Sequence, residues 1–283
     1  MRFEKWQALG NDYLILETAD LPWELTPGRV SRLCDPHFGI GSDGILLLSE
    51  SVDPEYVAEL RIFNPDGSEA ELSGNGAREA ILYLRQQGWT DADTFSIMTV
   101  AGPVTPRITS ERTCAVEMGR ASIASADYPS GGSDGRGTVV SGGRSWEFQH
   151  VSIGNPQCAI EVGDREELES LDLSAIGPAI QNSELFPNRT NVSFFTVDGS
   201  NVRARIFERG VGETLSSGTG ASGAAVAAFI QGRPGPIKVE LDGGELLVGI
   251  SPDLDVTLTG WAEPVASGEL SPAMLTHLAA TEE

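Results

Sequence analysis

The 283-residue chain is 40 % hydrophobic and 21 % charged, the balance of a globular protein rather than a disordered or fibrous one, and it is long enough for two domains of ordinary size. Its formal net charge of -22, with Lys5 and Lys238 as the only lysines, creates a field that repels phosphate backbones and anionic lipid, so neither nucleic acid nor a membrane surface is an expected partner. No apolar run reaches membrane-spanning length and the start, MRFEKWQALG, lacks a basic segment ahead of an apolar one, so a cytoplasmic protein is expected.

In chain order, the first turn-like motif is ALGNDYL, with Gly10 and Asn11, followed by GIGSDG. Leu60 and Ile62 then alternate with Arg61 and Phe63, the period of a strand. A Gly-rich turn leads to Ser73-Gly74-Asn75-Gly76-Ala77 and a helix of about four turns, closed by Gly88 where a left-handed cap favours glycine. The tract from 125 to 148 is rich in Gly and Ser and reads as a long surface hairpin or irregular crossing. SIGNPQC follows, then TNVSF, a second strand in which Ala204 and Ile206 alternate with Arg205 and Phe207, the turn ERGVGET, and Ser217-Gly218-Thr219-Gly220-Ala221 at the start of a helix with no polar face. Such a helix must be buried on all sides. The tail from about residue 268 is read as a short terminal helix. Cys34, Cys114 and Cys158 and the three histidines are too scattered for a disulfide framework or a metal site, so no metal is expected.

The two halves carry one pattern twice. RIFNPDGSEAELSGNGA (61 to 77) and RIFERGVGETLSSGTGA (205 to 221) share eight of seventeen residues without a gap, at an offset of 144. The same offset pairs Gly10-Asn11 with Gly154-Asn155 and Gly88 with Gly232. It sets Ser73 against Ser217, each at a helix N-terminus, where free N-H groups and the positive end of the helix dipole suit a carboxylate or an enolate.

Taken together, ALGNDYL, GIGSDG, RIFNPDGSE, GNGAR, GNPQC, TNVSF, ERGVGET and GTGA resemble the ordered motif series of diaminopimelate epimerases, from Met1 to the 260s. The resemblance implies an α+β fold of two pseudo-symmetric domains, each a strongly curved, mainly antiparallel sheet rolled around a central helix. The expected domains are 1–118 with 263–283, and 119–262, the last strand near Ala262 to Val265 returning to the first. It also implies inversion of an amino-acid α-carbon, LL- to meso-diaminopimelate, without pyridoxal phosphate, metal or other cofactor, in lysine and cell-wall precursor synthesis. The partner is then a small-molecule amino acid; a homodimer stays open.

In that family two cysteines exchange protons with the two faces of the α-carbon, and their positions are Ser73 and Ser217 here. An alcohol is a weaker acid than a thiol by at least about five pKa units, so forming the base costs about 7 kcal/mol more, or about five orders of magnitude in rate. The histidine that usually follows the Gly-Asn-Pro turn is Gln157, and the familiar cysteines after GNGAR and GTGA are Glu79 and Ser222. Glu208 remains as the basic group able to activate a serine. The resemblance also makes Asn11, Asn64, Asn155 and Asn191 substrate-holding residues. Glu208 and Arg209 would grip the ammonium and carboxylate, while Gly74-Asn75 and Gly218-Thr219 form the anion-binding turns. Three readings follow: an epimerase of this type, impaired or diverged at its two serines; an isomerase, dehydratase or racemase of the same fold that uses Glu208 on another substrate; or a non-catalytic amino-acid binding protein.

Overall fold

A computed structural model describes residues 1–70 and 73–281. Glu71 and Leu72, inside the first copy of the repeated motif, and Glu282 and Glu283, which end the expected 263–283 segment, lie outside them. The chain forms two compact units, Met1–Val116 with Gly260–Glu283, and Glu117–Thr259. Among the described residues no helix is long and apolar enough to cross a membrane.

The first unit contains β1 (Arg2–Ala8), β2 (Asn11–Glu17), α1 (Pro27–Cys34), β3 (Ile45–Ser49), β4 (Glu59–Phe63), β5 (Glu69–Ala70), α2 (Gly74–Gln86), β6 (Ile97–Thr99), β7 (Gly102–Val104) and β8 (Arg107–Ser110), and β9 (Thr113–Arg120) leads out of it. The second contains β10 (Arg136–Ser141), β11 (Arg144–Ser152), β12 (Pro156–Glu161), α3 (Arg165–Ser170), α4 (Leu173–Gln181), β13 (Asn191–Asp198), β14 (Asn201–Glu208), β15 (Gly212–Thr214), α5 (Gly218–Ile230), β16 (Ile237–Leu241) and β17 (Gly244–Ile250). After β18 (Asp255–Trp261), β19 (Glu263–Glu269) and α6 (Pro272–Ala280) belong again to the first unit.

One sheet runs β19-β1-β2-β3-β4-β6-β7 with β5 on β4, and the other runs β10-β11-β12-β13-β14-β16-β17-β18-β9-β8 with β15 on β14. The antiparallel pair β1–β2, the parallel join β2–β3, the antiparallel pair β3–β4 and the parallel join β4–β6 recur as β11–β12, β12–β13, β13–β14 and β14–β16. The helices α2 and α5 occupy residues exactly one offset apart and lie on β1 to β3 and on β11 to β14, β16 and β17 respectively. Both end at a glycine with positive φ, +75° at Gly88 and +95° at Gly232, as the left-handed cap requires.

Each helix starts close against a strand because a glycine stands at the contact. A Cβ on Gly76 would lie 2.8 Å from Leu46 Cδ2, and one on Gly220 would lie 2.7 Å from Ile206 Cγ2. Larger side chains there would overpack the interface at a cost of about 1–3 kcal/mol. Gly220 to Ala228 are buried without exception, which answers the absence of a polar face on α5.

The outer faces of the sheets are covered too. In the first unit Val30, Leu33 and Cys34 of α1 and Leu278 of α6 pack with Leu14, Leu16, Ile45, Leu47 and Phe63. In the second, Leu168 of α3 and Leu173 and Ile180 of α4 pack with Val192, Phe194 and Phe207. The alternation therefore assigns Phe63 and Phe207 to the correct face, but that face is a second core and not solvent. Sheets buried on both sides lose the polar half of their pattern. The 125–148 tract contains both expected forms. An irregular segment is anchored by Tyr128, whose ring lies 5.2 Å from Phe148 and 5.6 Å from Phe186, and the hairpin β10–β11 turns on Gly142-Gly143, both with positive φ.

Candidate active site at two helix N-termini

In the first unit Ser73 is extended (φ -129°, ψ 121°) and its Oγ accepts the Gly76 N-H at 3.1 Å, capping α2. The cap leaves the first N-H groups of the helix, at Gly74 and Asn75, at the positive end of the dipole. Tyr13, carried by β2, donates its hydroxyl to the same Ser73 Oγ at 3.2 Å. Gly10, with φ +83°, makes the turn that starts β2 at Asn11.

A one-way hydrogen-bond chain fixes the polar groups beside this cap. Arg78 donates to Asn75 Oδ1, Asn75 Nδ2 donates to Asn11 Oδ1 at 3.2 Å, and Asn11 Nδ2 donates to Asp43 Oδ2 at 3.0 Å. A guanidinium only donates and a carboxylate only accepts, so the two ends set both amide orientations. Arg78 and Glu79 are fully buried. Burial holds the Arg78 guanidinium below its usual range. Burial likewise drives the Glu79 carboxyl well above 4.5, with Asp12 and Asp43 adding to the rise and Arg78 opposing it.

The second unit repeats the cap. Ser217 is extended (φ -146°, ψ 120°), its Oγ accepts the Gly220 N-H at 3.2 Å, and the residue is 4 % exposed. Glu208, half-buried at the end of β14, accepts the Thr214 hydroxyl at 2.9 Å. Desolvation pushes its carboxyl above 4.5 against the pull of the Thr214 and Ser217 hydroxyls. Asn155 Nδ2 donates to Thr219 Oγ1 at 3.2 Å, and Gln157 Nε2 donates to Asn155 Oδ1 at 2.6 Å. Asn191 Oδ1 accepts the Arg209 N-H at 2.7 Å, and the Arg209 guanidinium donates to the Asn188 carbonyl at 2.8 Å.

The two caps are built alike. Asn11 with Asn75 in one corresponds to Asn155 with Thr219 in the other, and the ion pair Arg61–Glu69 corresponds to Arg205–Glu213. They differ in the ionisable group beside the serine, because the offset pairs Glu208 with Asn64 and Tyr13 with Gln157. The first cap thus gathers Ser73, Gly74, Asn75 and Asn11, and the second gathers Ser217, Gly218, Thr219, Asn155 and Glu208. Arg209 is joined to Asn191. Asn64 instead bonds within its own turn, Nδ2 to Ser68 Oγ at 2.9 Å. Sequence reasoning passed over Tyr13, Asp43, Arg78 and Thr214, although each lies within a quoted motif. The thiols take no part at either cap: Cys34, Cys114 and Cys158 are buried, and burial raises all three, Cys114 to about 12.

A sequence profile of the family described as diaminopimelate epimerase matches residues 3–124 and 149–264. The chain belongs to the diaminopimelate epimerase family. Diaminopimelate epimerase 2 of Nostoc sp. (strain PCC 7120) is 42 % identical over 277 residues, covering 96 % of both chains. Diaminopimelate epimerase of Synechococcus sp. (strain JA-3-3Ab) is 38 % identical over 278 residues, covering 95 % of this chain and 97 % of its own. Among solved structures, a hydroxyproline epimerase from Agrobacterium vitis with bound trans-4-hydroxy-L-proline has a TM-score of 0.65 at 15 % identity, over 97 % of this chain and 94 % of that one. Methylitaconate-delta-isomerase has a TM-score of 0.65 at 14 % identity, over 97 % of both. These likenesses establish the α+β fold of two pseudo-symmetric domains. Membership in the diaminopimelate epimerase family places the chain among isomerases of the racemase and epimerase type.

Proposed function

We propose that the chain epimerises a diaminopimelate-class amino acid, with the α-proton moved by serine hydroxyls backed by ionisable groups in place of two thiols. The observation that carries this reading is the half-buried Glu208 carboxyl at the end of β14, which accepts the Thr214 hydroxyl at 2.9 Å in the segment that leads to Ser217 at the N-terminus of α5. An ionised Glu208 accepts the Ser217 hydroxyl proton as Ser217 Oγ takes the α-proton, and the C-H electron pair stays on the carbon. Each cap offers N-H groups suited to a carboxylate on which carbanion charge develops, those of Gly74 and Asn75 in the first unit and those of Gly218 and Thr219 in the second. Arg209, the amides of Asn11, Asn155 and Asn191, and the Oδ1 of Asn64, whose Nδ2 is held by Ser68, supply the remaining grip.

A carboxylate is a weaker base than a thiolate, so this route runs slower than the two-thiol route, and the raised pKa of Glu208 narrows the gap. No cofactor enters this reading. By family inheritance the reaction sits in cytoplasmic lysine biosynthesis, and the recurring topology reflects an internal duplication. Incubation with LL-diaminopimelate and a panel of other amino acids in D2O, followed by NMR, tests it. The native chain exchanges the α-proton of LL-diaminopimelate, and Glu208→Gln lowers that exchange about 10³-fold. Exchange of a different amino acid alone transfers the reading to another substrate, and no exchange of any, with binding retained, leaves a binding protein.

A further inference from the structure

The first unit holds a second polar hollow on the side of its sheet turned away from α2. Leu46 of β3 lies against Gly76 of α2, whereas the next residue, Leu47, packs on the opposite face with Leu25, Val30 and Leu33. On that outer face, between the Thr18–Asp20 turn, the loop entering α1 and strands β3 and β4, lies a cavity of about 500 Å³, the size of a site for a small organic ligand. The sheet therefore separates it from the cap at Ser73.

Its walls are apolar, with Leu21, Leu25, Leu47 and the Trp23 indole, and three ionisable side chains, Glu24, Glu59 and Arg61, line it as well. The one cation is already engaged: Arg61 gives Glu69 hydrogen bonds of 2.7 and 3.0 Å and lies 4.8 Å from the Phe63 ring centroid. Arg29, 4.9 Å over the Trp23 ring, is likewise held by the carbonyls of Glu24, Leu278 and Ala279. Among the described residues the Glu24 carboxylate makes neither a hydrogen bond nor an ion pair, although it is near enough to Arg61 to favour that charge. Glu59, half-buried, has only the Ser51 hydroxyl at 3.5 Å. The Trp23 N-H is buried with no acceptor among the described residues, an unmet donor of the kind that marks a place where a bound group is missing.

We propose that this cavity binds a small aliphatic amine in its ammonium form, its hydrocarbon on the leucines and Trp23 and its charge compensated by Glu24 and Glu59. A carboxylic acid of the same length would meet two like charges, and a bare inorganic cation would leave the apolar walls wet. The indole adds a ring face that attracts cations. The site is independent of the epimerase reading, and its test does not use that reaction.

Pentylammonium is titrated into the full chain at constant ionic strength, followed by calorimetry and tryptophan fluorescence. It binds saturably with one equivalent, at least about tenfold more tightly than 1-pentanol, pentanoate or the ammonium ion. Equal binding of 1-pentanol or pentanoate overturns the proposal. Equal binding of the ammonium ion overturns it too, because only the long-range pull of a chain of net charge -22 would then remain. These comparisons use the native chain, so no variant has to fold. Glu24→Gln with Glu59→Gln lowers the affinity about tenfold or more, and Trp23→Phe removes the fluorescence response. Glu208→Gln, in the other unit, leaves the affinity within about twofold. No saturation by about 10 mM, an affinity unchanged in the double glutamate variant, a fluorescence response that survives Trp23→Phe, or binding lost in Glu208→Gln would each contradict the assignment.

Discussion

The N-terminus of α2 and that of α5 share a scaffold, the cap serines agreeing to within 17° in φ, 1° in ψ and a tenth of an ångström in the capping bond. Their chemistry diverges at two neighbouring positions. On the strand leading to Ser217 stands a half-buried carboxyl, Glu208, and beside Ser73 a phenol. The backbone holds each serine at the same dipole end, so the two caps differ in what surrounds the hydroxyl rather than in where the helix puts it. A repeated fold can in this way supply one group that takes a proton and another that returns it.

The sharpest way to break this comparison is to remove one hydroxyl at a time. Ser217→Ala lowers α-proton exchange of LL-diaminopimelate in D2O about 10³-fold, whereas Ser73→Ala leaves exchange within about threefold and removes inversion. Equal effects on exchange would erase the distinction. The next effect restores symmetry: Ser73→Cys with Ser217→Cys raises inversion about 10²-fold, because a helix N-terminus favours a thiolate at both caps. An unchanged rate would show that the serines do not limit the chemistry.

Smaller effects test the surroundings. Glu79 is present in α2 alone, its counterpart in α5 being the offset residue Gly223. Its folded-state pKa lies above the ordinary 4.5, so the native state binds more protons than the unfolded chain. Its contribution is therefore full below 4.5 and is lost as the pH rises toward the elevated folded value. Glu79→Met flattens that decline and stabilises the chain by about 1 kcal/mol at pH 8, measured by urea unfolding. A variant that loses stability more steeply with rising pH would contradict this. The smallest expected effect is a control on the scaffold. Gly88→Ala and Gly232→Ala each cost about 1 kcal/mol, since both residues have positive φ and no neighbour within 4 Å of an added Cβ. Unequal losses would show that the two caps are not equivalent.

The offset of 144 made much of the fold legible, because it marks the same strand, turn, cap and helix in both halves and both closing glycines. The second core was not legible. Phe63 and Phe207 gain their cover from α1, α6 and α4, elements distant in the sequence, and alternation within a strand carries no information about what lies on its outer face. At the candidate site, Ser73 and Ser217 were marked by the repeated motif. Tyr13 was hidden, since its relation to Ser73 depends on β2 lying next to the start of α2. Arg78 reads as a solvated helix residue in the sequence and is enclosed because the sheet wraps α2. Asn64 shows the reverse, a motif residue whose amide is engaged by its own turn.

The central claim is that a desolvated Glu208 is the base that acts through Ser217. The most direct measurement is the pH profile of α-proton exchange of LL-diaminopimelate in D2O for the native chain and for Glu208→Gln. Burial raises this carboxyl, so the native profile has an acid limb above the ordinary 4.5, rising as Glu208 ionises, and the residual exchange of Glu208→Gln lacks that limb. A native profile with no acid limb above pH 4.5, or an acid limb that survives in Glu208→Gln, would contradict it.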